Sequence, residues 1–241
     1  MFRKEEILHD LIRGLHHILD FTVFIFCLFT FLICAYAVYD NSLIYQNAEN
    51  NEILSYKPEE GNNTLFIKDS IAWLTVNDTN IDYPVMQGKS NDEYINKDPL
   101  GEYSLSGSIF LDSRNSSFFS DPYNLVYGHH MEKNLMFGGL DLFSEKAYFD
   151  AHKAGTLIAK NKTYDITFFS FIKTSADVKL IFSPIDTDKE ALLSYLKENA
   201  SIYEEPEDGK IIALSTCGDA GTIDRTVVFG ILKENSNATI H

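Results

Sequence analysis

The sequence predicts a mainly β domain, a barrel or a sandwich, carried behind one N-terminal transmembrane helix. Three observations lead there. Residues 21–39, FTVFIFCLFTFLICAYAVY, hold no charged side chain. From Ile71 onward, short apolar runs rich in Val, Ile, Thr, Phe and Tyr alternate with turn residues. Only one later stretch has a clear helical period.

The uncharged run comes first. A helix over 21–39 spans about 28 Å, close to the roughly 30 Å hydrocarbon core of a bilayer. A secretory signal is the competing reading, with Ala35 and Ala37 as a weak cleavage motif. Signal sequences use a shorter apolar stretch that ends in small residues, whereas bulky aromatics reach the end of this one, so an uncleaved anchor is expected. Arg3, Lys4 and Arg13 precede the run and the next basic residue is Lys57. The excess of Lys and Arg on that side predicts a cytoplasmic N-terminus and an extracellular remainder. The expected organisation is a cytoplasmic N-terminus at 1–20, the anchor at 21–39, a polar, Asn- and Glu-rich stalk with some helix at 40–70, and one folded domain at 71–241.

The strands follow in order: 71–76, 83–87, 107–112, 124–128, 155–160, 162–172, 210–216 and 225–233, each bounded by Gly, Asn, Asp or Pro. The helical stretch is 187–200, TDKEALLSYLKENA, with Leu192, Leu193 and Leu196 on one face. Thr187 and Glu190 have capping-box spacing at its start.

Composition narrows the function. The formal net charge is −15, and the only arginines beyond the apolar run are Arg114 and Arg225. Nucleic-acid binding needs clustered positive charge, so no nucleic-acid partner is expected. Cys27 and Cys34 lie in the apolar run, which leaves Cys217 alone outside it, without a partner for an internal disulfide. A lone thiol in an oxidising compartment is buried or used. The apolar run IIALST stops just before Cys217 and a polar turn, CGDAG, begins with it, so the thiol is expected at a strand's rim.

A thiol nucleophile needs a base. His129 and His130 follow the strand NLVYG, whereas His152 sits in a polar stretch and His241 is terminal. Arg225 opens the strand RTVVFGILK, eight residues after Cys217, where a turn between antiparallel neighbours would set its guanidinium beside the thiol to donate to a developing oxyanion. An ordinary ion pair with Asp219 or Asp224 is the alternative for Arg225, and Arg114, in LDSRNSS, reads as structural. The His pair alone does not supply a metal-ligand set. No phosphate-binding glycine loop and no GxSxG occur.

ALSTC before a turn, RTVVFG after it and YGHHM at 127–131 together resemble the sortases, and within them class B. WLTVNDTNIDYPVMQG, GSIFLDSRN and MFGGLDLF extend the resemblance over about 71–233. It implies a closed eight-stranded barrel with the helix inserted before the cysteine strand. It implies a cysteine transpeptidase that cuts a C-terminal sorting motif of secreted proteins and transfers the acyl group, through a thioester, to a peptidoglycan amine. In that scheme Cys217 is the nucleophile, His129 the acid/base and Arg225 the oxyanion donor, while Ser215 and Thr216 help to bind substrate; no cofactor and no metal are implied. The resemblance leaves open whether Asp219 or His130 assists. No N-terminal lid of the pilus-polymerising type is present, which favours anchoring of monomeric proteins. The alternatives are a surface cysteine peptidase that releases free acid and a membrane-tethered binding domain with Cys217 buried.

Overall fold

The computed structural model describes residues 2–48, 53–59, 64–65, 67–160, 162–216 and 224–235. The chain forms two compact units, 1–46 and 47–241. The first is helix α1, Phe2–Ala48, which continues past the apolar run for 47 residues in all. Its stretch His9–Gln46 is long and apolar enough to cross a membrane by length and composition, with large apolar side chains such as Phe24, Phe29 and Ile33 exposed.

The second unit is a closed barrel. Its strands are β1 (Ser70–Val76), β2 (Asp82–Met86), β3 (Ile109–Leu111), β4 (Tyr123–Gly128), β5 (Ala154–Ala159), β6 (Lys162–Ser175), β7 (Ile202–Tyr203), β8 (Lys210–Thr216) and β9 (Asp224–Glu234). The order is β5-β1-β2-β3-β4-β8-β9-β6-β7, and β5 also pairs with β6, which closes eight strands into a ring and leaves β7 as a two-residue edge on β6. Closure removes the open edges that a sheet of this length would otherwise expose. Strand β6 makes closure possible. It pairs with β9 along most of its length and with β5 along its first half, and a register shift between Phe168 and Ser170 bends it. The eight expected runs are the eight ring strands.

Parallel neighbours need a long crossover. Here the chain leaves β4, builds β5 to β7 with α2 (Lys146–Ala151), α3 (Lys179–Phe182) and α4 (Lys189–Asn199), and returns as β8 beside β4. Helices α3 and α4 cover one outer face. Ile181, Leu192 and Leu196 pack on Tyr123, Leu125, Ile211, Ala213, Val227 and Phe229, while the alternate residues Val126, Ile212, Leu214 and Val228 are buried as well. Burial on both faces explains why these strands read as continuous apolar runs.

The helix differs from expectation at its start. Asp188, not Thr187, is the cap, its carboxylate accepting from the Ala191 N–H at 2.9 Å. The Thr187 hydroxyl donates instead to the carbonyls of Leu180 and Ser183, tying α4 back to α3. A carboxylate at the helix N-terminus also gains from the helix dipole. Leu192 and Leu196 are buried as expected, and Leu193 packs at the margin of the same cluster.

Candidate functional site

Three strands meet at one rim of the barrel, two ending there and one beginning. The parallel ladder of β4 and β8 runs from Tyr123 opposite Ile211 to Gly128 opposite Thr216. Strand β9 starts there, antiparallel to β8, with Ser215 opposite Val227 as the outermost pair. The next residues along β4 and β8 are His129 and Cys217. Cys217 and Asp219 lie outside the described residues.

A cleft of about 260 Å³ opens at this rim, lined by Tyr127, Gly128 and His129 from the end of β4, Arg225 from the start of β9, Asn91 and Ile95 from the segment before β3, and Phe182 from α3. The glycine before His129 is dictated by packing. A Cβ at Gly128 would stand 2.4 Å from the Ile109 side chain and 2.7 Å from the Phe137 ring, far inside contact distance. That close fit lets the chain leave β4 across the barrel mouth, where the Phe137 N–H donates to the His129 carbonyl at 3.0 Å.

The two histidines go to opposite sides, as extended backbone requires. His129 is half-buried, faces the cleft and places Nε2 2.6 Å from the carbonyl oxygen of Ile95. His130 places Nε2 2.9 Å from Oδ2 of Asp141. The other carboxylate oxygen of Asp141 accepts from the Thr226 hydroxyl at 2.7 Å, and Lys173 approaches it at 3.5 Å. Partial burial works to raise the Asp141 carboxyl, but Thr226, His130 and Lys173 together hold it below the usual carboxylate range. The residue next to Arg225 is thereby fixed to the segment that follows β4.

Arg225 is half-buried, lines the cleft and donates from its guanidinium to the Asp224 carbonyl at 3.0 Å. Ser215 and Thr216 are buried, at 0% and 1% exposure, and neither lines the cleft. Two of the three catalytic candidates thus share one cleft, while the two substrate-binding candidates sit within the packed end of β8.

One feature of the site left no clear mark in the sequence. Asp112 is fully buried and accepts from Arg114 through Nε at 2.8 Å and a terminal nitrogen at 2.7 Å. It also accepts from Asn91 at 3.0 Å and the Tyr127 hydroxyl at 3.2 Å, and Arg114 donates further to the Phe182 carbonyl at 2.8 Å. Asn91, Tyr127 and Phe182 all line the cleft, so this ion pair, whose carboxylate is buried and whose guanidinium reaches the surface, braces three of its walls. Burial alone would raise the Asp112 carboxyl; the Arg114 and Asn91 hydrogen bonds outweigh it and hold it low. The only hint in the sequence is the Asp-x-Arg spacing at 112–114, and the partners are far away in the chain. Among the described residues, no group of three His, Cys, Asp or Glu side chains is placed to hold a metal ion.

No protein-family model matches the chain. A sortase B of Listeria monocytogenes is 36% identical over 156 residues, 62% of this chain and 63% of that protein, so the chain spans less than two thirds of this relative's length. The solved structure of a Streptococcus pyogenes class B sortase involved in pilus biogenesis superposes with a TM-score of 0.64 at 44% identity, covering 68% of this chain and 92% of that one. A Staphylococcus aureus sortase B–substrate complex superposes with a TM-score of 0.65 at 31% identity, covering 70% and 82%. With sequence and closed barrel agreeing over nearly the whole of a solved relative, the chain belongs to the class B sortases.

Proposed function

We propose that this chain is a membrane-anchored cysteine transpeptidase, which cleaves a C-terminal sorting motif of secreted proteins and transfers the acyl part to a peptidoglycan amine. The observation that carries the reading is the convergence of His129 and Arg225 on one cleft, at the rim where β8 leads into Cys217. The Cys217 thiolate attacks the scissile carbonyl, and the Arg225 guanidinium donates to the oxyanion that forms. His129 gives a proton to the leaving amine as the tetrahedral adduct collapses to a thioester. An incoming amine then attacks the thioester, His129 takes its proton, and the thiolate leaves. Ser215 and Thr216 serve this scheme by fixing the end of β8 against β4 and so setting the height at which the nucleophile and a bound peptide meet.

The relatives support a peptide substrate and an amine acceptor: one sortase B has been solved with substrate and one with a peptide of three glycines. Helix α1 supplies the membrane tether, and the basic residues ahead of the apolar run set the catalytic unit on the extracellular side.

A second reading, assembly of a pilus, is favoured by the 44% identity to the S. pyogenes enzyme, and it runs against the expectation drawn from the missing lid. The acceptor amine then belongs to a protein subunit. The test is cleavage of a panel of sorting-motif peptides by the full chain in detergent, with a peptidoglycan-type amine, a pilin-type lysine peptide or no amine. Amide product with the first supports wall anchoring, and product with the second alone supports pilus assembly. Free acid under every condition marks a peptidase, and no cleavage of any motif marks a binding domain.

A further inference from the structure

We infer that the main-chain carbonyl of Ile95 is the positioning group for the His129 ring, and that Gly107 sets where this carbonyl stands. The inference rests on reading His129 as the acid/base. A carbonyl oxygen only accepts, so the 2.6 Å contact requires the proton on Nε2 of His129. In the neutral ring the lone pair is then on Nδ1, and Nδ1 is the atom that exchanges protons with thiol and amine. Among the described residues no carboxylate hydrogen-bonds to His129; Asp141 is committed to His130. Among the described residues, the orienting role that hydrolases often give to an acid falls to a backbone dipole, which fixes the tautomer without formal charge of its own.

The carbonyl is held by a closed loop. The Ser108 N–H donates to the Tyr94 carbonyl at 3.0 Å, the Ser108 hydroxyl to the Lys97 carbonyl at 2.7 Å, and the Ser104 N–H to the Asn96 carbonyl at 3.1 Å. Gly107 closes it with φ at +59°, in the left-handed region, and is buried. A Cβ there would stand 2.3 Å from the Ile95 oxygen and 2.7 Å from the Tyr94 oxygen. Both obstacles are backbone, so any side chain at 107 must push aside the peptide group that accepts the His129 hydrogen bond.

The test uses the full chain in lipid nanodiscs with 15N-labelled histidine, and His129→Gln assigns the His129 signals. In a Cys217→Ala background, at a pH where the ring is neutral, long-range proton–nitrogen spectra should show Nε2 protonated and Nδ1 bare. Gly107→Ala in that background should mix the tautomers. In the active enzyme, Gly107→Ala should lower kcat by up to about a hundredfold, the scale of a 1 Å misplacement, with KM little changed. Ser104→Ala, in the same loop but away from the acceptor carbonyl, should leave tautomer and kcat near wild type. A ring protonated on Nδ1 in the Gly107 protein overturns the inference, and does so whether or not Gly107→Ala folds. So does a folded Gly107→Ala enzyme with unchanged tautomer and kcat. A fully active His129→Gln enzyme removes the acid/base reading itself, whereas an inactive His129→Gln enzyme, together with a His129 ring protonated on Nδ1 in the Gly107 protein, removes only the role of Ile95.

Discussion

Two arginines serve the cleft, Arg225 from its lining and Arg114 from behind its walls. Arg114 grips a carboxylate with no exposed surface, and through Asp112 it reaches Asn91 and Tyr127. Arg225 begins a strand, lines the cleft and donates to the main-chain carbonyl beside it. Under the proposed mechanism, the difference separates support from chemistry. A guanidinium bound in two places to a buried carboxylate cannot turn toward a substrate without leaving that buried charge without its cation. A guanidinium at the rim, anchored by a backbone dipole, can meet charge that exists only in the transition state. The walls of the cleft and the edge proposed to react are therefore built from different residues and should fail in different ways.

The largest separation is expected from Arg225→Ala. Losing one oxyanion donor typically costs a hundred- to a thousandfold, about 2.7–4 kcal/mol, so kcat and kcat/KM should fall together with KM and melting temperature little changed. Arg225→Lys should recover only part of this, since an ammonium lacks the planar fork. Near-normal turnover in Arg225→Ala steady-state assays would merge the two regions into one structural frame.

Arg114→Ala should reverse the pattern, costing about 1–3 kcal/mol in denaturant unfolding: buried Asp112 loses its cation, but Arg114 is itself screened by water and Asn91 and Tyr127 still donate to Asp112. Acid should erase this difference. The folded Asp112 carboxyl titrates below its unfolded value, so the unfolded chain binds more protons and the pair's contribution is present above about pH 4 and lost as pH falls through the folded value. Melting temperatures of wild type and Arg114→Ala should converge below about pH 4; a gap that persists there means that Arg114 acts by packing rather than by charge.

His130→Ala should be the mildest change. Its partner Asp141 keeps Thr226 and Lys173, and a partly exposed pair is worth about 0–1 kcal/mol, so turnover should stay within a few-fold of wild type. A dead His130→Ala enzyme beside a live His129→Ala enzyme would exchange the roles assigned to the two faces of the chain after β4.

The barrel was legible because each ring strand carries its own local signal, a β-branched or aromatic run stopped by turn residues. β7 was not, being two residues paired only with β6. The cap of α4 was misplaced by one residue because Thr187 and Asp188 both carry capping chemistry, and the choice depends on α3, whose carbonyls take the threonine. The placement of His129 and Arg225 at strand ends, on one cleft, was legible because there an apolar pattern meets a polar residue; their catalytic roles are the proposal. The Ile95 carbonyl was not, since every residue has one and its contact with His129 joins positions 34 apart. The Asp112 brace was hidden likewise: its arms reach Asn91 and Phe182, 21 positions before Asp112 and 68 beyond Arg114.

The most direct test of thiol chemistry at this rim is the intact mass of the full chain mixed with a cleavable sorting-motif peptide and no acceptor amine. The expected result is an adduct equal to the acyl fragment, mapped to Cys217, absent in Cys217→Ala, and discharged as an amide when an amine is added. Turnover by Cys217→Ala, or an adduct on any other residue, would contradict it.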